Sequence, residues 1–120
     1  MTQAAAQAAA FFTEAVASGT VWTLKDEGGY PAPMNGSGQR AQPFWSKQSR
    51  AQKIVDTAPA YAGFQVVAVP LAEFEGEWLG ELQRDGLLVG VNWSGKRVLG
   101  YDYPPPDVAR RLDYERKRIA

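Results

Sequence analysis

The strongest constraint on the fold is the run at residues 87–93, which is apolar nearly throughout and whose last two residues begin the sequence NWSGKR. Such continuous apolar character is typical of a strand that is covered on both faces, so this run is predicted to be central in a sheet. Ser94 and Gly95 come next, and residues 98–103 are predicted to form a strand that pairs back on the first. The pattern therefore predicts a β-hairpin in which Gly95 provides the positive φ of a tight turn.

Hydrophobic periodicity near 3.6 residues predicts the helices. Thr2 and Ser46 stand where helix N-caps are expected, and Pro59 ends the second helix. Gly76 and Gly80 lie four residues apart in the third helix, and each costs about 1 kcal/mol relative to Ala. A close backbone approach on that helix face is the predicted reason for them. The helices are expected at residues 2–18, 47–57, 71–84 and from 107 onward.

The remaining strands are predicted from alternating apolar residues bounded by turn residues. The first three are expected to form an N-terminal meander, with prolines confining the middle and last of them to sheet edges. These predictions together give a single α+β domain over residues 1–120, mainly antiparallel, in the order α-β-β-β-α-β-α-β-β-α. Residues 113–120 are expected to fray. The strands are expected at residues 20–25, 30–34, 39–45 and 64–69.

The chain contains no histidine and no cysteine. Imidazole bases, thiolate nucleophiles, disulfides and the common zinc sites are therefore excluded, and no cofactor is expected. Catalysis would have to rest on carboxylates, Lys, Tyr or Ser, which lowers the expectation of an enzyme. We expect a protein that binds rather than one that reacts.

The charges are balanced, with 13 basic and 13 acidic residues. A chain without net charge has no general electrostatic attraction to nucleic acid, so a nucleic-acid partner is not expected. No apolar run approaches the roughly 20 residues that span a bilayer, and the N-terminus lacks the basic and apolar regions of a secretory signal. The cytoplasm is the expected location.

The NWSGKR segment is the first candidate site, formed by Trp93, Ser94, Lys96 and Arg97. The favoured interpretation is a hairpin turn, with Lys96 and Arg97 starting the return strand on opposite faces. The alternative is an anion site in which turn N–H groups and a cation face a phosphate or carboxylate. The segment lacks the spacing of a P-loop and opens no helix, so a nucleotide-type phosphate cradle is weakly supported.

Asp26, Glu27 and Tyr30 form the second candidate, in the sequence DEGGY. Two adjacent carboxylates beside flexible glycines could bind a metal or transfer protons. No calcium-loop pattern is present, and adjacent acids in a turn are usually solvated. A turn is the favoured interpretation.

Trp45, Ser46 and Lys47 form the third candidate, where an aromatic residue precedes a helix N-terminus. A hydrophobic staple with a cap explains them, and an aromatic wall over helix N–H donors is the alternative. The chain has four tryptophans, and only Trp78 has core spacing. The others are expected at strand ends, partly exposed, where tryptophan is common among binding hot spots.

Three blocks carry a resemblance to a known family: VWTLKDEGGYPAPMNGSGQRAQPFWSKQSRAQKI, GFQVVAVPLAEF and DGLLVGVNWSGKRVLGYD. Over residues 10–112 the chain resembles the bacterial family called domain of unknown function 2750, most specifically in FWS and NWSGKR. The resemblance implies a small single α+β domain from a bacterium. It implies no catalytic residues.

Two functions are therefore expected from different classes. The first is a non-catalytic protein-binding module of the kind that neutralises toxins, an analogy from fold class, with a protein partner and an exposed aromatic patch. The second is binding of a small anionic metabolite or nucleotide, which requires the FWS corner and the SGKR turn to meet in space. A structural subunit that forms a homo-oligomer is a third expectation.

Overall fold

Helix α1 (Gln3–Ser18) opens the fold in a computed structural model that describes residues 2–120. The Thr2 hydroxyl caps it by accepting a hydrogen bond from the Ala5 N–H at 3.0 Å. Gly19 ends it with a φ of 74°, a left-handed conformation that glycine adopts without steric cost. The predicted helix and both of its ends are confirmed. Its buried stripe consists of Ala8, Phe11, Phe12 and Ala15.

Five strands form two small sheets instead of one. One sheet pairs β1 with β3 in antiparallel fashion, and the other has the order β2-β4-β5. In the second sheet β4 lies in the centre, parallel to β2 and antiparallel to β5, as its apolar sequence predicted. The strands are β1 (Thr20–Lys25), β2 (Ala41–Phe44), β3 (Gln65–Pro70), β4 (Leu88–Ser94) and β5 (Leu99–Tyr103).

The predicted N-terminal meander is wrong. Residues 30–34 form no strand and contribute a single bridge, between Met34 and Arg40. Prolines in this segment lack the N–H groups that a ladder needs, whereas β3 pairs with all six residues of β1 from forty to fifty positions further along the chain. A bridge between Trp22 and Trp45 then joins β1 to β2 and links the two sheets.

The helical segment at residues 71–84 contains a π-helical turn in its middle. Gly76 and Gly80 do not mark a close approach, since a Cβ built on either would find nothing within 4 Å. That prediction is wrong. The helices after α1 are α2 (Gln48–Thr57), a 3₁₀ turn (Pro59–Tyr61), α3 (Leu71–Glu73), the π-helix Phe74–Trp78, α4 (Leu79–Arg84) and α5 (Pro105–Ile119).

Two apolar clusters hold these elements together. The larger one packs α1, α5 and the π-helix on one face of the three-stranded sheet, with Phe11, Phe12 and Phe44 fully buried. The smaller one lies between α2 and the two sheets and is centred on Trp45 and Trp93. Both of these tryptophans are buried, so their expected exposure is wrong.

Candidate ligand-binding grooves

Trp93 is a wedge between two strands. Its ring lies where side chains at Gly90 and Gly100 would stand: an added Cβ would come 2.3 Å from the ring at Gly90 and 2.6 Å at Gly100. The indole N–H donates a hydrogen bond to Asp102 Oδ1 at 2.9 Å. The glycines of β4 and β5 therefore make room for one tryptophan, which forms the wall between two surface grooves.

The backbone around this wedge is strained. The pairing of β4 with β5 shifts register between Val91 and Ser94, and Asn92 within the shift has a φ of 49°. Val98, at the far end of the turn, has a φ of 52°, which is rare for a β-branched residue. Such conformations persist only where the surroundings fix them, and they cluster at functional sites. The two residues with positive φ are thus the first residue of the NWSGKR segment and the residue that directly follows it.

Asn92 and Ser46 join the strands to α1. The Asn92 amide oxygen accepts a hydrogen bond from the Ser46 N–H at 3.0 Å, and its nitrogen donates to the Gln7 carbonyl at 3.0 Å. The Ser46 hydroxyl donates to Glu14 Oε1 at 2.6 Å. Ser46 is thus a buried linker, and the prediction that it caps α2 is wrong. Lys47 occupies the N-cap position without a side-chain cap.

Arg50 on α2 has its charge compensated inside the protein. Its Nε and Nη2 atoms donate to the two oxygens of Glu14, each at 3.0 Å, and Nη1 donates to Gln7 Oε1 at 2.5 Å. Burial alone would raise the pKa of Glu14, but the hydrogen bonds from Arg50 and Ser46 outweigh it and hold this pKa below its ordinary value. The helical periodicity of residues 47–57 predicts Arg50 on the solvent side of α2, and this prediction is wrong because Arg50 is half-buried in this pair.

A groove of about 380 Å³, here called the α2 groove, lies between α1, α2 and the β4–β5 turn. Four residues predicted from separate segments meet there: Trp45 from the FWS corner with Trp93, Ser94 and Lys96 from the turn. Lys53 on α2 completes the cationic side, and no Asp or Glu lines the groove. Within residues 2–120 neither lysine forms a salt bridge.

A second groove of about 410 Å³, here called the β5 groove, lies on the other side of Trp93. Arg97 lines it, and Lys96 lines both grooves. Both cations lie in the turn, so the prediction that they start the return strand is wrong, because β5 begins at Leu99. The turn itself and the hairpin are confirmed.

The remaining candidate residues lie apart from these grooves. Asp26 and Glu27 border a separate groove of about 570 Å³, and Asp26 Oδ1 accepts a hydrogen bond from the Gly28 N–H at 2.8 Å, as in a turn. Tyr30 packs edge-on against Trp78 with ring centres 5.1 Å apart. Over residues 2–120, no three His, Cys, Asp or Glu side chains come together to hold a metal ion.

Gln7 and Lys53 are groove residues that the sequence did not single out. The periodicity of α2 placed Lys53 on the solvent side, which is correct, but it did not show that the β4–β5 turn stands beside that side. Gln7 was assigned to a packing helix. A glutamine that interrupts a run of alanines was the available signal for a polar contact at this point of α1.

No helix in the described part of the chain has the length and apolarity needed to cross a membrane. The two sheets with packed helices define a small α+β protein, as predicted. The family model described as Protein of unknown function (DUF2750) matches residues 8–112 of the 120, so the chain belongs to that family and the resemblance is confirmed. No curated protein matches the chain.

Proposed function

We propose that this protein binds a small anionic ligand in the α2 groove. One observation carries the proposal: Trp45 of the FWS corner and residues 92–96 of the NWSGKR turn, almost fifty residues apart, border one groove with Lys53 and with no carboxylate. Unpaired lysines that share a concave surface attract an anion, and the low exposure of Trp45 and Trp93 reduces competition from water.

The hydrogen-bonding groups of the α2 groove favour a ligand that accepts hydrogen bonds. Arg50 has only donors, so the Gln7 atom that faces it is Oε1, and the Gln7 Nε2 donors stay free for a ligand. The Trp93 carbonyl is already occupied by the Trp45 indole N–H at 2.8 Å. The Gln7 amide oxygen and the Trp93 carbonyl are thus used internally, and the lysines add only donors.

The floor and the volume narrow the ligand class further. Ile54 and Trp93 form the apolar floor beneath the lysines, and the fully buried Trp45 packs behind them. A volume of about 380 Å³ lies in the usual range for small-molecule sites, about 300–1,000 Å³. The supported ligand is a compact phosphate or carboxylate with a flat apolar body, such as a nucleoside monophosphate.

Thermal unfolding with AMP, adenosine and inorganic phosphate tests the proposal. A ligand at one hundred times its Kd adds about 2.7 kcal/mol to the free energy of unfolding. We expect AMP to raise the Tm more than phosphate, and adenosine to have no effect. Lys53→Gln should remove most of the AMP effect, whereas Lys117→Gln, on the exposed face of α5, should leave it unchanged. Equal responses to AMP and adenosine, or an unaltered response in Lys53→Gln, would refute it.

Binding of a protein partner, including toxin neutralisation, stays a prediction, as do a homo-oligomer and a cytoplasmic location. The protein-partner hypothesis depended on tryptophans that were expected to be exposed, and two of these, Trp45 and Trp93, are buried. The anionic-ligand proposal therefore has the stronger support. Recovery of a stoichiometric partner on co-expression with the neighbouring genes would reverse this order.

A further inference from the structure

We propose that the β5 groove is a second binding site and that it takes an amphipathic carboxylate, an anionic head with an apolar tail. The site lies across Trp93 from the α2 groove and has its own residues, so the inference goes beyond the proposed function. Four features carry it: an apolar wall, a pair of cations, an unpaired hydroxyl and an internally satisfied carboxylate.

The apolar wall consists of Met34 and Leu99. Their side chains are among the most exposed large apolar groups of the protein, at 58% and 62%, and both border the β5 groove. Exposed apolar side chains are common singly, but two that share one concavity provide a surface on which an apolar tail loses contact with water. Pro33 and Ala60 extend this surface.

The cationic end is formed by Lys96 and Arg97 in the β4–β5 turn. In the described chain neither forms a salt bridge, whereas four of the eight arginines are paired with carboxylates. Adjacent cations that form no salt bridge, at the end of an apolar groove, match a ligand that carries its charge at one end. A guanidinium also binds a carboxylate through two parallel hydrogen bonds.

Tyr61 supplies a donor inside the groove. The residue is 8% exposed, and its hydroxyl has no hydrogen-bond partner among residues 2–120. No described polar side-chain atom is both fully buried and unpaired, so this hydroxyl is accessible to solvent, and Tyr61 lines the groove. Burial raises the pKa of Tyr61, which keeps the hydroxyl protonated and able to donate to a carboxylate.

Asp102 is the acidic residue of this groove, and its carboxylate is hydrogen-bonded within the protein. One of its oxygens accepts a hydrogen bond from the Trp93 indole N–H and the other from the Asn35 amide, each at 2.9 Å. These bonds hold the carboxylate against the wedge. The polar groups that stay free for a ligand are therefore the two cations and the Tyr61 hydroxyl.

Calorimetric titration of the full-length protein with sodium octanoate tests the site, with octylammonium and inorganic phosphate as matched probes. We expect octanoate to bind, octylammonium not to bind, and phosphate to bind far more weakly. Leu99→Ser and Tyr61→Phe should each weaken octanoate about tenfold, and Arg97→Gln about threefold. The matched controls Ile119→Ser and Arg84→Gln, on exposed helix positions, should leave the affinity unchanged.

Three results would overturn the inference. Equal binding of octanoate and octylammonium would show that the head is not recognised, and equal binding of phosphate would show that the tail is not. Loss of octanoate binding in Lys53→Gln but not in Leu99→Ser would place the ligand in the α2 groove. Because Lys53 lines only the α2 groove and Leu99 only the β5 groove, failure of one site is distinguishable from failure of the other.

Discussion

Substitution of Gly90 or Gly100 by Ala should destabilise the protein through one side chain, Trp93. Neither glycine has a positive φ, so the backbone itself accepts alanine, and the ordinary expectation for Gly→Ala is a gain of about 0.4–1 kcal/mol. The new methyl at Gly90 would however lie 2.3–2.6 Å from three ring atoms. Overpacking of this kind costs about 1–3 kcal/mol, so the clash decides the sign.

The same substitution at Gly76 or Gly80 is the matched control. Both are exposed helical positions where a Cβ meets nothing within 4 Å, so alanine should stabilise by about 1 kcal/mol. For 120 residues the entropy of unfolding is about 0.25 kcal/mol/K. A loss of about 2 kcal/mol at Gly90 therefore lowers the Tm by about 8 °C, whereas the control raises it by about 4 °C.

Urea unfolding followed by far-UV circular dichroism measures both effects, provided that the slope m is unchanged. Trp93→Leu supplies the decisive background because it removes the ring that the methyl meets. In this background Gly90→Ala should lose most of its cost, which appears as a coupling free energy of about 1–2 kcal/mol. A Gly90→Ala protein as stable as the parent, or an equal cost in both backgrounds, would refute the wedge.

Three further outcomes follow from the buried polar groups. The pKa of Glu14 is lowered in the folded state, so the free energy of unfolding that it contributes is present above its unfolded pKa of about 4.3 and is lost as the pH falls through the folded value. Glu14→Gln should therefore make the free energy of unfolding depend less on pH in that range. An unchanged pH profile would contradict this. Trp45→Phe leaves the buried Trp93 carbonyl without its hydrogen-bond donor and should lower the free energy of unfolding, measured in urea, by about 1–3 kcal/mol. A loss below about 0.5 kcal/mol would contradict this. Ser46→Ala should cost about as much in urea unfolding, because the hydroxyl bonds to Glu14 and Asn92, and a cost below about 0.5 kcal/mol would contradict this.

Local patterns were sufficient where an element depends on its own residues. Helix α1 was predicted with both ends because Thr2 and Gly19 act within one turn of the chain. The central position of β4 was predicted because a strand covered on both faces has apolar residues throughout, and this holds for any partner. The hairpin followed from Ser94 and Gly95 in the same way.

Local patterns failed where the partner lies far along the chain. Gly90 and Gly100 look like weak points of two strands until the Trp93 ring is placed between them. Ser46 has the sequence context of an N-cap, but Asn92 and Glu14 offer it stronger partners from other elements. The prediction for Gly76 and Gly80 was wrong in the opposite sense: a close backbone approach was expected there, and no atom lies within 4 Å of an added Cβ.

The sequence by itself determined which chemistry is absent, which helix begins the fold and which strand is central, because composition and periodicity are properties of neighbouring residues. Only the tertiary structure decided which cations share a groove. Lys53 and Lys96 are 43 positions apart, and whether they meet depends on how α2 crosses the β4–β5 turn. That crossing is set by long-range packing around Trp45 and Trp93, and no local pattern encodes it.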